Sequence, residues 1–185
     1  RFLTWSYKNN IKIPHPLQSA YQKEMCSMLT SFNLQETVCH LTERGSKVYC
    51  CFLDNTKAFD TVWHNGVFYK LNKLGIKGKA WRILCQAYKD VYCNVLFNGH
   101  KSRPFLLRQS IRQGSVLGPW MWLIYINDCI IGLENLGCGA YLFDLFVGAP
   151  IQADDLKPLF LFTDRGSNGN RSPAIQALKI IKRHL

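Results

Sequence analysis

The sequence predicts an α/β (α+β) fold, with a small antiparallel sheet covered by helices on one face. Three observations predict it. The run VYCCFLD (48–54) is continuous, apolar and of strand length, the pattern of a strand covered on both faces. Segments with helical apolar spacing lie on either side of it. Within NVLFNGHKSRPFLLRQS (94–110), Asn98-Gly99 stands between alternating runs, the strongest short signal for an antiparallel hairpin.

The elements follow in order. Residues 1–16 are polar and proline-punctuated and read as a lead-in. Across 17–46, Met25, Met28, Leu29, Phe32, Leu34, Val38 and Leu41 recur at roughly helical spacing, and Gly45 stops the pattern. After the strand at 48–54, Val62, Trp63, Val67, Phe68 and Leu71 predict a helix that ends near Gly75, with Lys70 and Lys73 in its last turns. GKAWRILCQAYKD (78–90) reads as a short amphipathic helix. GSVLGPWMWLIYINDCIIGLENLG reads as a long helix opened near Pro119 and closed by Gly137. GAYLFDLFVGAPIQADD has two β-like halves about Gly148 and Pro150, so Asp154 and Asp155 fall at the turn of a second hairpin or just past it. LKPLFLF (156–162) can keep a strand, whereas TDRGSNGNRSPAIQALKIIKRHL (163–185) is small, polar and basic and is not expected to continue a sheet.

The totals narrow the function. The chain has 185 residues with 48% hydrophobic content, which suits a packed core rather than disorder. Its 23 Lys and Arg against 12 Asp and Glu give a net charge of +11, and a domain so basic commonly meets nucleic acid. A merely solvated basic surface is the plainer alternative. The longest apolar stretch is too short to span a bilayer, so no membrane partner is expected. No signal peptide opens the chain, and Arg1 suggests a piece of something longer. Most of the eight cysteines lie in apolar runs and none forms a C-x-x-C pair, which fits buried free thiols in a reducing compartment better than zinc.

Asp54 closes a strand expected to be buried, where a lone carboxylate is costly without a compensating cation or donors. Asp154 and Asp155 follow another β-like run. Two acid sites carried on strands of one sheet can meet at one edge, and three carboxylates there can hold two divalent cations for phosphoryl transfer. Spacing alone leaves other readings open. Adjacent aspartates are common at turns, and Asp54 can cap the following helix.

The residues carry a further resemblance. VYCCFLDNTKAFDTVWHNG resembles the first palm motif of reverse transcriptases of non-LTR (LINE-type) retrotransposons, F-L-D-x-x-K-A-F-D-x-V. RQSIRQGSVLGPW resembles the second, G-V-R-Q-G-x-x-L-S-P, and GAPIQADD the third, whose core is Y-A-D-D. The motifs occur in that order over about residues 17 to 156. The resemblance implies a polymerase palm with partial helical fingers and no thumb. Its divisions are a lead-in and fingers over 1–46, a palm with an inserted hairpin over 47–162, and a divergent tail over 163–185. It implies an RNA-directed DNA polymerase that uses an RNA template, a DNA primer and dNTPs with two Mg²⁺ ions, Mn²⁺ being an alternative, in a nuclear or cytoplasmic setting. Asp54 and Asp154 match the principal metal ligands, and Asp155 the third acid. The carbonyl of Asn55 matches a further metal ligand. Phe59 matches the gate against a 2′-hydroxyl, although by its composition it reads as a core aromatic. Gln113 and Gly114 match contacts to nucleotide and template. Arg112 suits either a phosphate or a solvated face. Asp60 and Asp128 read as structural, Asp60 as a cap of the helix from Val62.

The sequence departs from the family pattern at several places. Gln152 stands where the third motif has an aromatic, Ser110 where the second has glycine, and Gly118 where it has serine. LQSAYQKEMCS (17–27) resembles the fingers motif Q-x-G-F-R-x-G-x-S, with Ala20 and Glu24 in place of glycines and Gln22 in place of the basic residue. TDRGSNGNRSPAIQALKIIKRHL resembles nothing that follows the third motif, as in a truncated or frameshifted remnant. Two alternatives follow: a nucleic-acid-binding remnant without catalysis, and a metal-dependent nuclease.

Overall fold

Two stretches rich in β-formers, 47–54 and 155–162, run antiparallel in a single register. The computed structural model describes residues 14–137, 139–156 and 158–162, with Lys8, Lys179 and Lys182, so most of the expected lead-in and tail lies outside the described residues. Within the ribbon, β1 (Lys47–Cys50) pairs with β10 (Leu159–Phe162), Lys47 opposite Phe162 and Cys50 opposite Leu159. The Cys51 N–H donates to the Pro158 carbonyl at 3.0 Å, and Leu53 bridges Leu156.

The described residues fall into two compact units, one within 1–56 and 126–185 and the other within 57–125. In the first, helix α1 (Ser27–Glu43) covers the ribbon. Leu41 is buried against Ala140, with Leu34, Val38, Val48 and Val147 packed around them. The helix ends as its glycine predicts, with Gly45 N–H donating to the Thr42 carbonyl at 2.9 Å and Ser46 N–H to Leu41 at 3.0 Å. Two hairpins follow in this unit, β6–β7 (Tyr141–Leu142 with Leu145–Phe146) and β8–β9 (Ile151–Gln152 with Asp155–Leu156).

The second unit packs α2 (Ala58–Thr61), α3 (His64–Lys73) and α4 (Gly78–Tyr88). Val62, Val67, Phe68, Leu71 and Ile111 are buried here, and the Trp81 indole N–H donates to the Phe68 carbonyl at 2.9 Å. β2 (Tyr92–Cys93) pairs with β5 (Phe105–Leu106), and β3 (Leu96–Phe97) with β4 (His100–Lys101). Asn98 and Gly99 have φ of 46° and 78°, the two positive values of the tight hairpin turn that their sequence predicts. Helix α5 (Gly118–Asn135) contributes its first turns to this unit and its remainder to the other. Met121, Trp122, Leu123, Ile124, Ile126, Cys129, Ile130 and Leu133 are all buried along it, as a helix apolar on every side requires.

Six expectations are corrected. The helix expected over 17–46 covers only Ser27–Glu43, because the backbone of Leu17 and Ser19 hydrogen-bonds to Ile151 instead. Its apolar stripe also faces outward in part: Met25, Met28, Leu29 and Phe32 are exposed, and the buried face is Thr30, Thr37 and Leu41. The strand at 48–54 is not covered on both faces: Tyr49 and Phe52, which alternation puts on opposite faces, are both exposed. Asp54 is therefore exposed too, which removes the expected burial cost. Among the described cysteines, all free, Cys129 alone is buried. Asp60 lies in α2 and does not cap α3, which opens after Trp63 without a side-chain cap.

Two of the departures from the family pattern retain glycine-like backbone. Glu24 has φ 65° and Ser110 φ 103°, where L side chains are strained. Ser110 is held there by its N–H to the Val62 carbonyl at 2.9 Å and by His64 Nε2 on its own carbonyl at 2.6 Å. The Glu24 ion pair with Lys23 is exposed and contributes little. Glu24→Gly and Ser110→Gly are each expected to stabilise the fold by about 1 kcal/mol, raising Tm by roughly 2–4 °C in thermal denaturation. A lowered Tm in both would contradict the strain.

Candidate active site

The aspartate pair sits on the β8–β9 hairpin. Ile151 pairs with Leu156 and Gln152 with Asp155, leaving Ala153 and Asp154 as the turn. Ala153 takes φ 57°, a left-handed conformation that folds the chain back within two residues. Strand alternation then sorts the side chains. Ile151 and Leu156 are buried, and Gln152 and Asp155 belong to the other face.

The adjoining strand segment meets this hairpin at Leu53. Leu53 N–H donates to the Leu156 carbonyl at 2.9 Å, and Leu156 N–H donates back to Leu53 at 3.0 Å. One step further along the same register, Asp54 comes level with Asp155. Leu53 and Leu156 form the inward pair, so Asp54 and Asp155 share the outward face, and both are exposed. Asp154 is half-buried at the turn beside them.

On its far side, the hairpin is held by the segment before α1. Gln18 bridges Ile151 in parallel, with Ser19 N–H on the Ile151 carbonyl at 3.0 Å and Ile151 N–H on the Leu17 carbonyl at 2.9 Å. The segment is fixed further back by His15. Its N–H donates to Asn127 Oδ1 at 2.9 Å, its Nδ1 accepts from Leu17 N–H at 3.2 Å, and its Nε2 faces Glu134 at 3.3 Å. Tyr21, in the same segment, lies near the acid turn. Burial first, and then the Asp154 carboxylate, push its hydroxyl above the ordinary 10.0.

Gln152 occupies the aromatic position of the third motif, and its surroundings are polar. Its Oε1 accepts from the Ser19 hydroxyl and from Thr30 Oγ1, the latter at 3.2 Å. Ser19 and Thr30, both buried, also bond each other. An aromatic side chain here would remove the shared acceptor. Sequence reasoning missed Gln18, Ser19, Tyr21 and Thr30 as parts of the site. The one available signal was the match of 17–27 to the fingers motif, which contains the glutamine.

The remaining site residues lie in the second unit. Phe59 is half-buried, with its ring 5.5 Å from Trp122. Gln113 is exposed and its Nε2 reaches Asp60 Oδ1 at 3.4 Å. Gly114 has φ 77° with open space where a Cβ would stand, so its backbone is accessible. The Arg112 guanidinium donates to the Ala87 carbonyl at 3.1 Å and lies 5.7 Å from the Tyr88 ring centre, an arrangement closer to a structural brace than to a free phosphate contact.

The donor chemistry of the acid face suits a hard divalent cation, which prefers carboxylate and carbonyl oxygen. Among the described residues, no three His, Cys, Asp or Glu side chains converge closely enough to hold a metal ion. The face supplies the ligands in register without closing them around one point.

The profile of the reverse transcriptase (RNA-dependent DNA polymerase) family matches residues 2–179. The chain belongs to that family. It is 24% identical over 144 residues, 77% of its length, to a retrovirus-related Pol polyprotein from type-1 retrotransposable element R2 of Popillia japonica. It is 33% identical over 78 residues (42% of the chain) to the RNA-directed DNA polymerase from mobile element jockey of Drosophila funebris. It is also 34% identical over 84 residues (44% of the chain) to a probable RNA-directed DNA polymerase from transposon BS of Drosophila melanogaster. The matched parts cover 20%, 8% and 9% of these relatives' own lengths. The expected kinship with non-LTR retrotransposon reverse transcriptases is thus borne out. No helix among the described residues is long and apolar enough to cross a membrane.

The Gln152 environment makes a prediction for this family member. Gln152→Tyr removes the acceptor that the Ser19 and Thr30 hydroxyls share, while each keeps a backbone acceptor at Ile151 or Cys26, and is expected to cost about 0.5–1.5 kcal/mol. The measurement is the urea midpoint, and an unchanged midpoint would show the network to be energetically idle.

Proposed function

We propose that this chain is the fingers and palm part of an RNA-directed DNA polymerase, adding dNTPs to a DNA primer on an RNA template. The division into fingers over 1–46, palm over 47–162 and a divergent tail over 163–185 belongs to the same proposal. One observation carries it: the Leu53–Leu156 bridge, whose register brings Asp54 level with Asp155 beside the Asp154 turn. In the described first unit, this register sets three motif acids on adjoining strand segments without closing them around one point.

Asp54, Asp154 and Asp155, with the carbonyl of Asn55, would hold divalent Mg²⁺. Bound there, the cations would supply charge stabilisation to the phosphates and acidify the attacking hydroxyl. The chain's own residues do the rest by position. The exposure of Asp54 and Asp155, with Asp154 half-buried beside them, leaves the face accessible to a large polyanionic substrate. The primer 3′-hydroxyl attacks the α-phosphorus of the dNTP and pyrophosphate leaves, with no covalent enzyme intermediate. Catalysis here rests on orientation and electrostatics. Phe59 would limit the sugar edge, and the accessible backbone at Gly114 with Gln113 would meet nucleotide or template. The net charge of +11 supports binding of a duplex through its phosphates.

A second reading, a nucleic-acid-binding domain without catalysis, is favoured by the open arrangement of the acids. Primer extension separates the two. With Mg²⁺, dNTPs and a primed RNA template, the wild-type chain extends the primer and Asp154→Asn or Asp54→Asn abolishes extension, while duplex affinity stays within a few-fold. Affinity itself falls with salt, with a log–log slope of about 0.9 per neutralised phosphate. Salt-sensitive binding without extension in the wild type selects the second reading.

A further inference from the structure

The turn that carries Asp154 is gripped by a side chain from outside the three palm motifs. Gln18 is buried, 1% exposed. Its Nε2 donates to the Ala153 carbonyl at 3.1 Å, and its Oε1 accepts from the Ala153 N–H at 3.1 Å. The same Oε1 accepts from Ala20 N–H at 2.9 Å, which fixes the amide to its own segment. The side chain thus reads both the donor and the acceptor of one residue, as a neighbouring strand would.

The gripped residue matters because of its conformation. Ala153 has φ 57°, strained for a residue with a Cβ. Its carbonyl belongs to the peptide unit whose N–H is that of Asp154. Fixing the N–H and the carbonyl of Ala153 fixes the plane of that peptide, and with it the direction in which the Asp154 side chain leaves the turn. A primary amide suits this task, since it offers one donor and one acceptor in a plane. A carboxylate offers only acceptors, and a thioether offers no strong donor or acceptor.

We infer that Gln18 is a positioning residue for the metal-binding face, setting the Asp154 carboxylate through its two hydrogen bonds to Ala153. The segment that bears it is itself anchored, through the Ile151 bridge and through His15 on Asn127, so the grip is referred to the buried core. The inference rests on the reading of Asp154 as a metal ligand.

The test is Mn²⁺ titration of the full chain followed by electron paramagnetic resonance, with far-ultraviolet circular dichroism and Tm on each protein. The set is wild type, Asp154→Asn, Gln18→Met and Leu133→Ala. Gln18→Met preserves length and removes both hydrogen bonds. Leu133→Ala opens a cavity in the core of the same unit and lowers Tm away from the turn. The expected result is Mn²⁺ binding weakened at least tenfold by Asp154→Asn and by Gln18→Met, and unchanged by Leu133→Ala. Weakening by Asp154→Asn alone overturns the role of Gln18 and leaves the metal reading intact. Equal weakening by Leu133→Ala reduces Gln18 to general stability and also overturns it. No weakening by Asp154→Asn overturns the metal reading and this inference together. Should Gln18→Met fail to fold, Gln18→Glu, which keeps the acceptor and loses the donor, takes its place, and wild-type affinity in that variant overturns the inference.

Discussion

The site depends on one backbone pairing, the reciprocal hydrogen bonds between Leu53 and Leu156. Each leucine lies beside a motif acid, so the pairing that turns the leucines inward turns Asp54 and Asp155 outward. A slip of one residue would bury the acids and expose the leucines. The buried state of Leu156 and the exposure of both acids are two consequences of one register. The apolar pattern around the acids is therefore as much a part of the site as the carboxylates.

Everything else in the first unit confines that register. The β1–β10 ribbon sets it from one end, and the hairpin turn at Ala153-Asp154 from the other. Helix α1 supplies apolar ground through Leu34, Val38 and Leu41, packed with Val48, Ala140 and Val147. Adjacent carboxylates repel, and the chain limits the cost by leaving Asp155 exposed and Asp154 half-buried, so water screens them. The same openness suits the proposed admission of a nucleic acid backbone.

Legibility in the sequence followed the range of the interactions. The hairpin at Asn98-Gly99, the stop of α3 near Gly75 and the extent of α5 were readable because each is decided by residues within a few positions. The start of α1 was misread because its competitor is remote: the backbone of 17–19 pairs with Ile151, which no local period reveals. The burial expected for the strand at 48–54 failed for a related reason. An apolar run shows that a strand can be covered twice, and here Tyr49 and Phe52 stay exposed on opposite faces. The three aspartates of the proposed site stand out through their motifs, and Gln18 through the fingers motif, whereas the hydrogen bonds of Gln18 to Ala153 are visible only in the structure. The departures at Glu24 and Ser110 were visible as substitutions, but only the positive φ values explain why the pattern has glycine there.

The central claim is that Asp54 and the Asp154–Asp155 pair form a single cation-binding face. The most direct measurement is amide-resolved NMR of the labelled chain during addition of Mn²⁺ far below stoichiometry. The account predicts that the amide signals of Leu53, Asp54, Asp154 and Asp155 broaden first and together. Broadening centred on one acid segment without the other, or on a different part of the chain, would contradict it.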